Sequence, residues 1–188
     1  MLNWNRISTI AAVAFAALSG SLFGANPFIV VSVPDQRLAL MDNGLTLAQF
    51  PVSTSKFGVG DRPRSYATPL GVMEVAAKIG DRAPLGTVFK GRRPTGEILQ
   101  PNAPGRDPIV TRILHLRGLE RFNAGAFGRG IYIHGTAEER TIGRPASYGC
   151  IRMRSRDVIR LFDSVAIGTK IAVLNEPMSQ VFRQLAAN

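Results

Sequence analysis

A chain of 188 residues, 45% hydrophobic, with 23 basic against 13 acidic residues, has room for one packed domain and lacks the composition of a disordered protein. Its formal net charge is +10, yet the basic residues are scattered, with no lysine-rich tail, zinc-ligand spacing or aromatic-interleaved ribbon, so nucleic acid is not an expected partner. A basic surface suits an anionic polymer outside the cytoplasm, such as a carboxylate-rich cell wall.

The first 25 residues differ in kind. Arg6 is the only charge among them, and an apolar run from Ile7 to about Phe23 follows it, the pattern of a secretory signal peptide. Ser8, Thr9, Ser19, Gly20 and Ser21 interrupt the run, and the cleavage site is poorly defined, so an uncleaved N-terminal anchor stays open. Residues 1–25 are therefore expected to be a signal peptide or anchor and the only membrane contact. Export to the periplasm or cell envelope follows.

From Phe28 the pattern turns to short β-type runs. Phe28–Val33 is rich in β-branched residues, Gln36–Met41 alternates, and Asp42-Asn43-Gly44 predicts the turn of a hairpin returned by Leu45–Ser53. Residues 55–70 read as a loop, with Gly58, Gly60, Pro63 and Pro69 inside it, and 71–77 as a strand. The stretch 80–108 is rich in Gly, Pro and Arg with little periodicity, which predicts a binding loop or a lid. Val110–Leu116 and Gly130–His134 read as strands. After Cys150 the signal becomes helical: Ser155 is a plausible N-cap, and Val158, Leu161, Phe162 and Val165 recur at helical spacing until Gly168. Lys170–Leu174 is a closing strand, and 179–187 a short terminal helix. The expected fold is mostly β, a sandwich or barrel-like domain over 26–175 with one main helix after Cys150 and a tail over 176–188.

Cys150 is the single cysteine, so it has no internal disulfide partner. It is either a tolerated buried thiol or a nucleophile. It sits in Ser147-Tyr148-Gly149-Cys150-Ile151-Arg152-Met153, sixteen residues after His134 of His134-Gly135-Thr136. A histidine where an apolar strand ends can face a cleft, and an imidazole near a thiol activates it by taking its proton or by ion-pairing. The backbone N–H groups of Tyr148, Gly149 and Cys150 could meet a developing oxyanion, with Gly149 allowing a sharp turn. His115, between Leu114 and Leu116, reads as a structural histidine.

These residues resemble the L,D-transpeptidase catalytic domain, the YkuD family. Ile131-Tyr-Ile-His-Gly-Thr136, Ile142-Gly-Arg-Pro145 and Ser147–Met153 match its signature nearly position by position. The likeness includes the opening hairpin, Pro51-Val-Ser-Thr54, Thr68-Pro69-Leu70-Gly71 and Gly168-Thr-Lys-Ile-Ala-Val173. The resemblance implies a peptidoglycan cross-linking enzyme without metal or organic cofactor. Cys150 would attack the carbonyl between a stem's diaminopimelate and the following D-alanine, and His134 would move the proton. A carbonyl just before the histidine, that of Gly130, would orient the imidazole. The thioester would pass to an amine acceptor, a neighbouring stem or a protein lysine. Gly135 and Thr136 would shape the site. Arg152 would hold a substrate carboxylate or form a structural ion pair behind the site, and Ser147 would shape the loop. The family usually has histidine where this chain has Tyr148.

Two other readings remain. Water could resolve the same thioester, giving an L,D-carboxypeptidase, or the fold could serve as a non-catalytic wall-binding scaffold. Sortases share the His, Cys, Arg order but not this local context, and papain-like enzymes place Cys before His.

Overall fold

The computed structural model describes residues 27–186; the expected signal or anchor segment, residues 1–25, lies outside them. Ten strands follow in chain order: β1 (Phe28–Ser32), β2 (Arg37–Asp42), β3 (Leu45–Pro51), β4 (Gly71–Ile79), β5 (Thr87–Lys90), β6 (Arg93–Ile98), β7 (Ile109–Gly118), β8 (Tyr132–Thr136), β9 (Ile151–Met153) and β10 (Lys170–Leu174). Helix α1 (Ser155–Ser164) sits between β9 and β10, and α2 (Met178–Ala186) follows β10. The strands form one mixed sheet ordered β3-β2-β1-β10-β4-β7-β5-β6, with β8 pairing β7 and then β9. The fold is mostly β, as expected.

Alternation explains how one sheet carries two apolar layers. Ile29 and Val31 of β1 face a large core with Leu38, Met73, Leu114, Ile133, Ile151 and the α1 residues Val158, Leu161 and Phe162. Phe28 and Val30 face the opposite side, where Met178 and Val181 of α2 cover them. Burial on both faces is why β1 reads as an unbroken apolar run.

The opening hairpin forms where expected, with β2 antiparallel to β3 and its Asn43-Gly44 turn at positive φ (47° and 78°). The stretch 80–108 departs from expectation. It contains the β5–β6 hairpin, joined by Gly91 and Arg92 at positive φ, and β5 pairs with β7. Residues 87–90 and 93–98 of the predicted loop or lid are thus part of the sheet. β6 is the outer strand with every residue at least partly exposed, so no alternation marks it, and its Pro94 is tolerated at an edge.

Two further boundaries shift. β9 lies between Cys150 and the helix, a strand of three residues that the sequence pattern does not announce. The α1 N-cap is Arg154 rather than Ser155, because Glu139 Oε1 accepts the Ser155 N–H at 2.8 Å and does the capping from another segment. At the other end Lys78 Nζ donates to the Phe162 and Val165 carbonyls at 2.7 and 2.6 Å, so the helix closes before Gly168.

Candidate active site

The site is built on the parallel pair β8–β9, whose register sets Ile133 against Ile151, His134 against Arg152 and Gly135 against Met153. Ile133, Ile151 and Met153 all point into the large core. Alternation therefore turns His134, Cys150 and Arg152 to the opposite face. A core pattern of three apolar residues thus fixes which way the polar ones look.

His134 is 5% exposed and lies within β8 rather than at its end, since Gly135 and Thr136 continue the ladder against Val110 and Ile109 of β7. Gly135 is needed for this approach: a Cβ there would stand 2.6 Å from the Val110 carbonyl and 3.1 Å from Thr111 Cβ. Thr111 occupies a bulge of β7 at φ 72°, an uncommon conformation for a β-branched residue. Its Oγ1 donates to Ser155 Oγ and accepts from the Gly86 N–H, which holds the bulge in place.

The imidazole Nδ1 lies 2.8 Å from the Gly135 carbonyl. A carbonyl only accepts, so Nδ1 carries the hydrogen and Nε2 is left as the basic nitrogen. The orienting carbonyl is thus that of Gly135, not Gly130. The Gly130 carbonyl instead accepts from Cys150 Sγ at 3.4 Å.

Burial pushes the Cys150 thiol up to about 11, against smaller lowering effects of the Tyr132 backbone N–H, Arg129 and Arg152. Burial likewise lowers His134 below its usual range, opposed by the Gly135 carbonyl and the Asp107 carboxylate, with Arg152 adding to the lowering. Both shifts favour the uncharged forms.

The loop before Cys150 is fixed from inside. Ser147 Oγ donates to the Cys150 carbonyl at 2.6 Å and accepts the Gly149 N–H at 3.2 Å, so of the three amides proposed for an oxyanion that of Gly149 is turned toward Ser147. Thr68 Oγ1 donates to the Gly149 carbonyl at 3.0 Å. Gly149 has φ 117°, and a Cβ there would press at 3.3 Å on the Ala67 carbonyl and Ile131 Cδ1. Tyr148 is 62% exposed, its hydroxyl accepting a hydrogen bond from Lys56 Nζ at 3.0 Å.

Arg152 is 5% exposed and engaged through both Nη atoms, while its buried Nε has no hydrogen-bond partner. It pairs with Asp107, and its Nη2 reaches Thr141 Oγ1 at 3.1 Å and Ser53 Oγ at 3.4 Å. Asp107 also accepts from Thr136 Oγ1. Of the two arrangements offered for Arg152 this is the ion pair, which takes up its Nη atoms.

Nothing local in the sequence singles out Asp107 or Arg129. Arg129 donates to Asp61 at 2.6 Å and to the Gly60 and Ala67 carbonyls at 3.1 and 2.7 Å, tying the loop before β4 to the turn segment before β8. The conjunction Asp61-Arg62-Pro63 gave no local sign of this, since its partner is 68 residues away. His115 is structural as expected, its Nε2 3.0 Å from the Phe127 carbonyl and its ring stacked on Phe127 at 4.0 Å. Among the described residues no cluster of His, Cys, Asp and Glu is arranged to hold a metal ion, and no helix is long and apolar enough to cross a membrane.

The comparisons agree with this architecture. The chain is 29% identical over 153 residues to the probable L,D-transpeptidase ErfK/SrfK of Escherichia coli strain K12, covering 80% of this chain and 44% of that protein. It is 37% identical over 62 residues to the putative L,D-transpeptidase YqjB of Bacillus subtilis, covering 33% and 34% respectively. The chain thus spans less than half the length of these curated relatives. An L,D-transpeptidase from Mycobacterium smegmatis shares its fold at a TM-score of 0.52 and 20% identity, over 80% of this chain and 59% of that one. L,D-transpeptidase 3 from Mycobacterium tuberculosis, in complex with a faropenem-derived adduct, does so at 0.52 and 18%, over 80% and 60%. The family model described as YkuD, L,D-transpeptidase catalytic domain, matches residues 26–173, a span that runs from the start of β1 into β10 and holds every residue of the site. The chain belongs to the L,D-transpeptidase catalytic domain (YkuD) family.

Proposed function

We propose that this chain is a cysteine-dependent peptidoglycan L,D-transpeptidase acting outside the cytoplasm on stem peptides of the cell wall. One observation carries the reading: His134 and Cys150 emerge on one face of the β8–β9 pair, with Nδ1 of the histidine engaged by the Gly135 carbonyl and Nε2 left as the basic nitrogen.

In the first step His134 Nε2 takes the Cys150 proton as sulfur attacks the carbonyl carbon between the third stem residue and the D-alanine after it. The carbonyl π electrons move onto oxygen, where the Tyr148 and Cys150 N–H groups are the donors available to meet the charge. Collapse of this adduct breaks the carbon–nitrogen bond. The imidazolium returns its proton to the departing amine, and a thioester and free D-alanine result. An acceptor amine then loses a proton to His134 as it attacks the thioester, forming the new amide and regenerating the thiol. Because burial favours the uncharged form of both groups, His134 acts as a general base in the attack and not as a standing counter-ion. Buried Arg152 and its partner Asp107 serve as positioning residues for β9 and β8.

Incubation of the full chain with tetrapeptide muropeptides, followed by mass analysis, tests this. Loss of D-alanine with dimer formation is expected, and Cys150→Ala should abolish it. Loss of D-alanine without dimers assigns the hydrolytic carboxypeptidase reaction instead. No reaction, together with no covalent carbapenem adduct on Cys150, leaves the scaffold reading in its place.

A further inference from the structure

Three aromatic rings stand exposed beside Cys150: Phe57 at 50%, Tyr66 at 54% and Tyr148 at 62%. Their centroids lie 5.4–5.9 Å apart, so they form one cluster. The backbone beneath them is buried and stitched. Ser55 bridges Ser147, its Oγ donates to the Tyr66 carbonyl at 2.5 Å, and the Lys56 N–H donates to the Ser147 carbonyl at 3.1 Å. Tyr66 is held at φ 55°, a strained conformation for a bulky residue. Rings kept exposed on a rigid, strained frame are the mark of a binding surface rather than of a loose loop.

Lys56 completes the cluster. Its Nζ lies 3.0 Å from the Tyr148 hydroxyl, 4.3 Å from the centre of that ring and 5.3 Å from that of Phe57. The two arginines that act on the Cys150 thiol are each engaged by a carboxylate, Arg129 by Asp61 and Arg152 by Asp107. Among the described residues Lys56 has no carboxylate within ion-pairing distance. The Tyr148 oxygen accepts from the ammonium, which leaves its own O–H to donate. An ammonium and a hydroxyl side by side present two donors to one two-oxygen anion. A sugar ring is a poorer fit, because Lys56 lies over the Tyr148 ring and the three planes are inclined at 43°, 52° and 89°, giving no flat floor.

We propose that Lys56 and the Tyr148 hydroxyl form a carboxylate receptor at the rim of the thiol site, with Phe57 and Tyr66 walling the aliphatic arm that bears the carboxylate. The ligand is a peptide stem with a free side-arm carboxylate next to the scissile amide. This rests on the function proposed above and names the recognition element that buried Arg152 does not supply. Tyr148, in place of the family's usual histidine, is then a specificity residue.

The test is calorimetric titration of full-length Cys150→Ala protein with two tetrapeptide stems, one with the side-arm carboxylate free and one with it amidated. The free acid is expected to bind about tenfold more tightly, the scale of one charge-assisted contact. Lys56→Met should erase the difference, Lys56→Arg should keep it, and Tyr148→Phe should reduce it. Equal binding of acid and amide, a preference that survives Lys56→Met, or tighter binding of a peptide-free glycan fragment overturns the receptor. D-alanine release from the amidated stem by the Cys150 protein separates the two ideas. If release continues while the acid preference is absent, only the receptor falls. If neither stem is bound or cleaved, the proposed function falls with it.

Discussion

The two polar regions around Cys150 use the same residue chemistry to opposite ends. Beneath the site, buried Arg152 pairs with Asp107 and half-buried Arg129 with Asp61, and the two arginines are further held by Thr141, Ser53 and backbone carbonyls. At the rim, Lys56 and three aromatic rings are exposed, with hydrogen-bonding capacity still open. A buried charge needs its partner in the folded chain, so the inner cations fix geometry. A rim charge has water as its alternative partner, so it can exchange that water for a ligand at little cost. Position in the fold, not residue type, separates the cations that hold the site from the one that can recognise something.

The sharpest way to break this contrast is to unpair the inner charge. Asp107→Ala leaves the Arg152 guanidinium, with its side chain 6% exposed, only the Glu138 carboxylate at 4.0 Å as a counter-charge. A destabilisation of about 3 kcal/mol or more is expected in chemical denaturation. The double change Asp107→Leu with Arg152→Met should recover much of that loss, because an apolar pair removes the charge rather than orphaning it. Lys56→Met, by contrast, should leave stability within about 0.5 kcal/mol. If Asp107→Ala proves as mild as Lys56→Met, the distinction between the two regions fails.

Next in size is Gly149→Ala. A methyl group there meets the Ala67 carbonyl and Ile131 at 3.3 Å with the backbone at φ 117°, so about 1–3 kcal/mol of strain is expected. The strain falls on the residue adjoining Cys150. A displacement near 1 Å is enough to cost about a hundredfold in D-alanine release. Retained activity would show that the loop can relax without moving the thiol.

These particulars also explain what was legible in the sequence. His134 and Cys150 stood out because the chemistry sits inside short local patterns, an apolar strand on one side and a glycine turn on the other. The Asn43-Gly44 hairpin was equally local. Asp107 was not legible: its partner lies 45 residues on, and one aspartate in a Gly- and Pro-rich stretch carries no period. The β5–β6 hairpin hid for a related reason, since its outer strand buries no face that would impose alternation. Lys56 looked like any surface lysine until the fold set Ser55 beside Ser147 and brought it onto Tyr148.

A smaller effect separates the two regions by pH. Burial raises Cys150 from its ordinary 9.0 to about 11, so the stability it contributes is complete below pH 9 and is lost as pH rises through about 11. Burial depresses His134 below 6.5, so its contribution is present above that value and is lost as pH falls below it. Stability should therefore peak between about pH 6.5 and 9, and Cys150→Ala should remove the alkaline decline alone. Alkylation of Cys150 by iodoacetamide should climb roughly tenfold per pH unit across this window. A plateau at neutral pH would reveal a standing ion pair and refute the neutral resting state.

The smallest expected change lies at the rim itself. Tyr148→His restores the family's usual residue while leaving Ser147, Thr68 and Gly149 to hold the loop as before. If position 148 meets the oxyanion through its backbone N–H, the rate of D-alanine release should stay within about threefold, far less than the loss of a donor would cause. The new imidazole would sit where Lys56 Nζ now reaches the tyrosine hydroxyl, and the ammonium would hold it neutral. It would therefore add no second cation, and preference for a carboxylate-bearing stem should persist in weaker form. A rise of tenfold or more in rate would instead show that the family's histidine does chemistry that tyrosine forgoes, and position 148 would then belong to the inner machinery rather than to the rim.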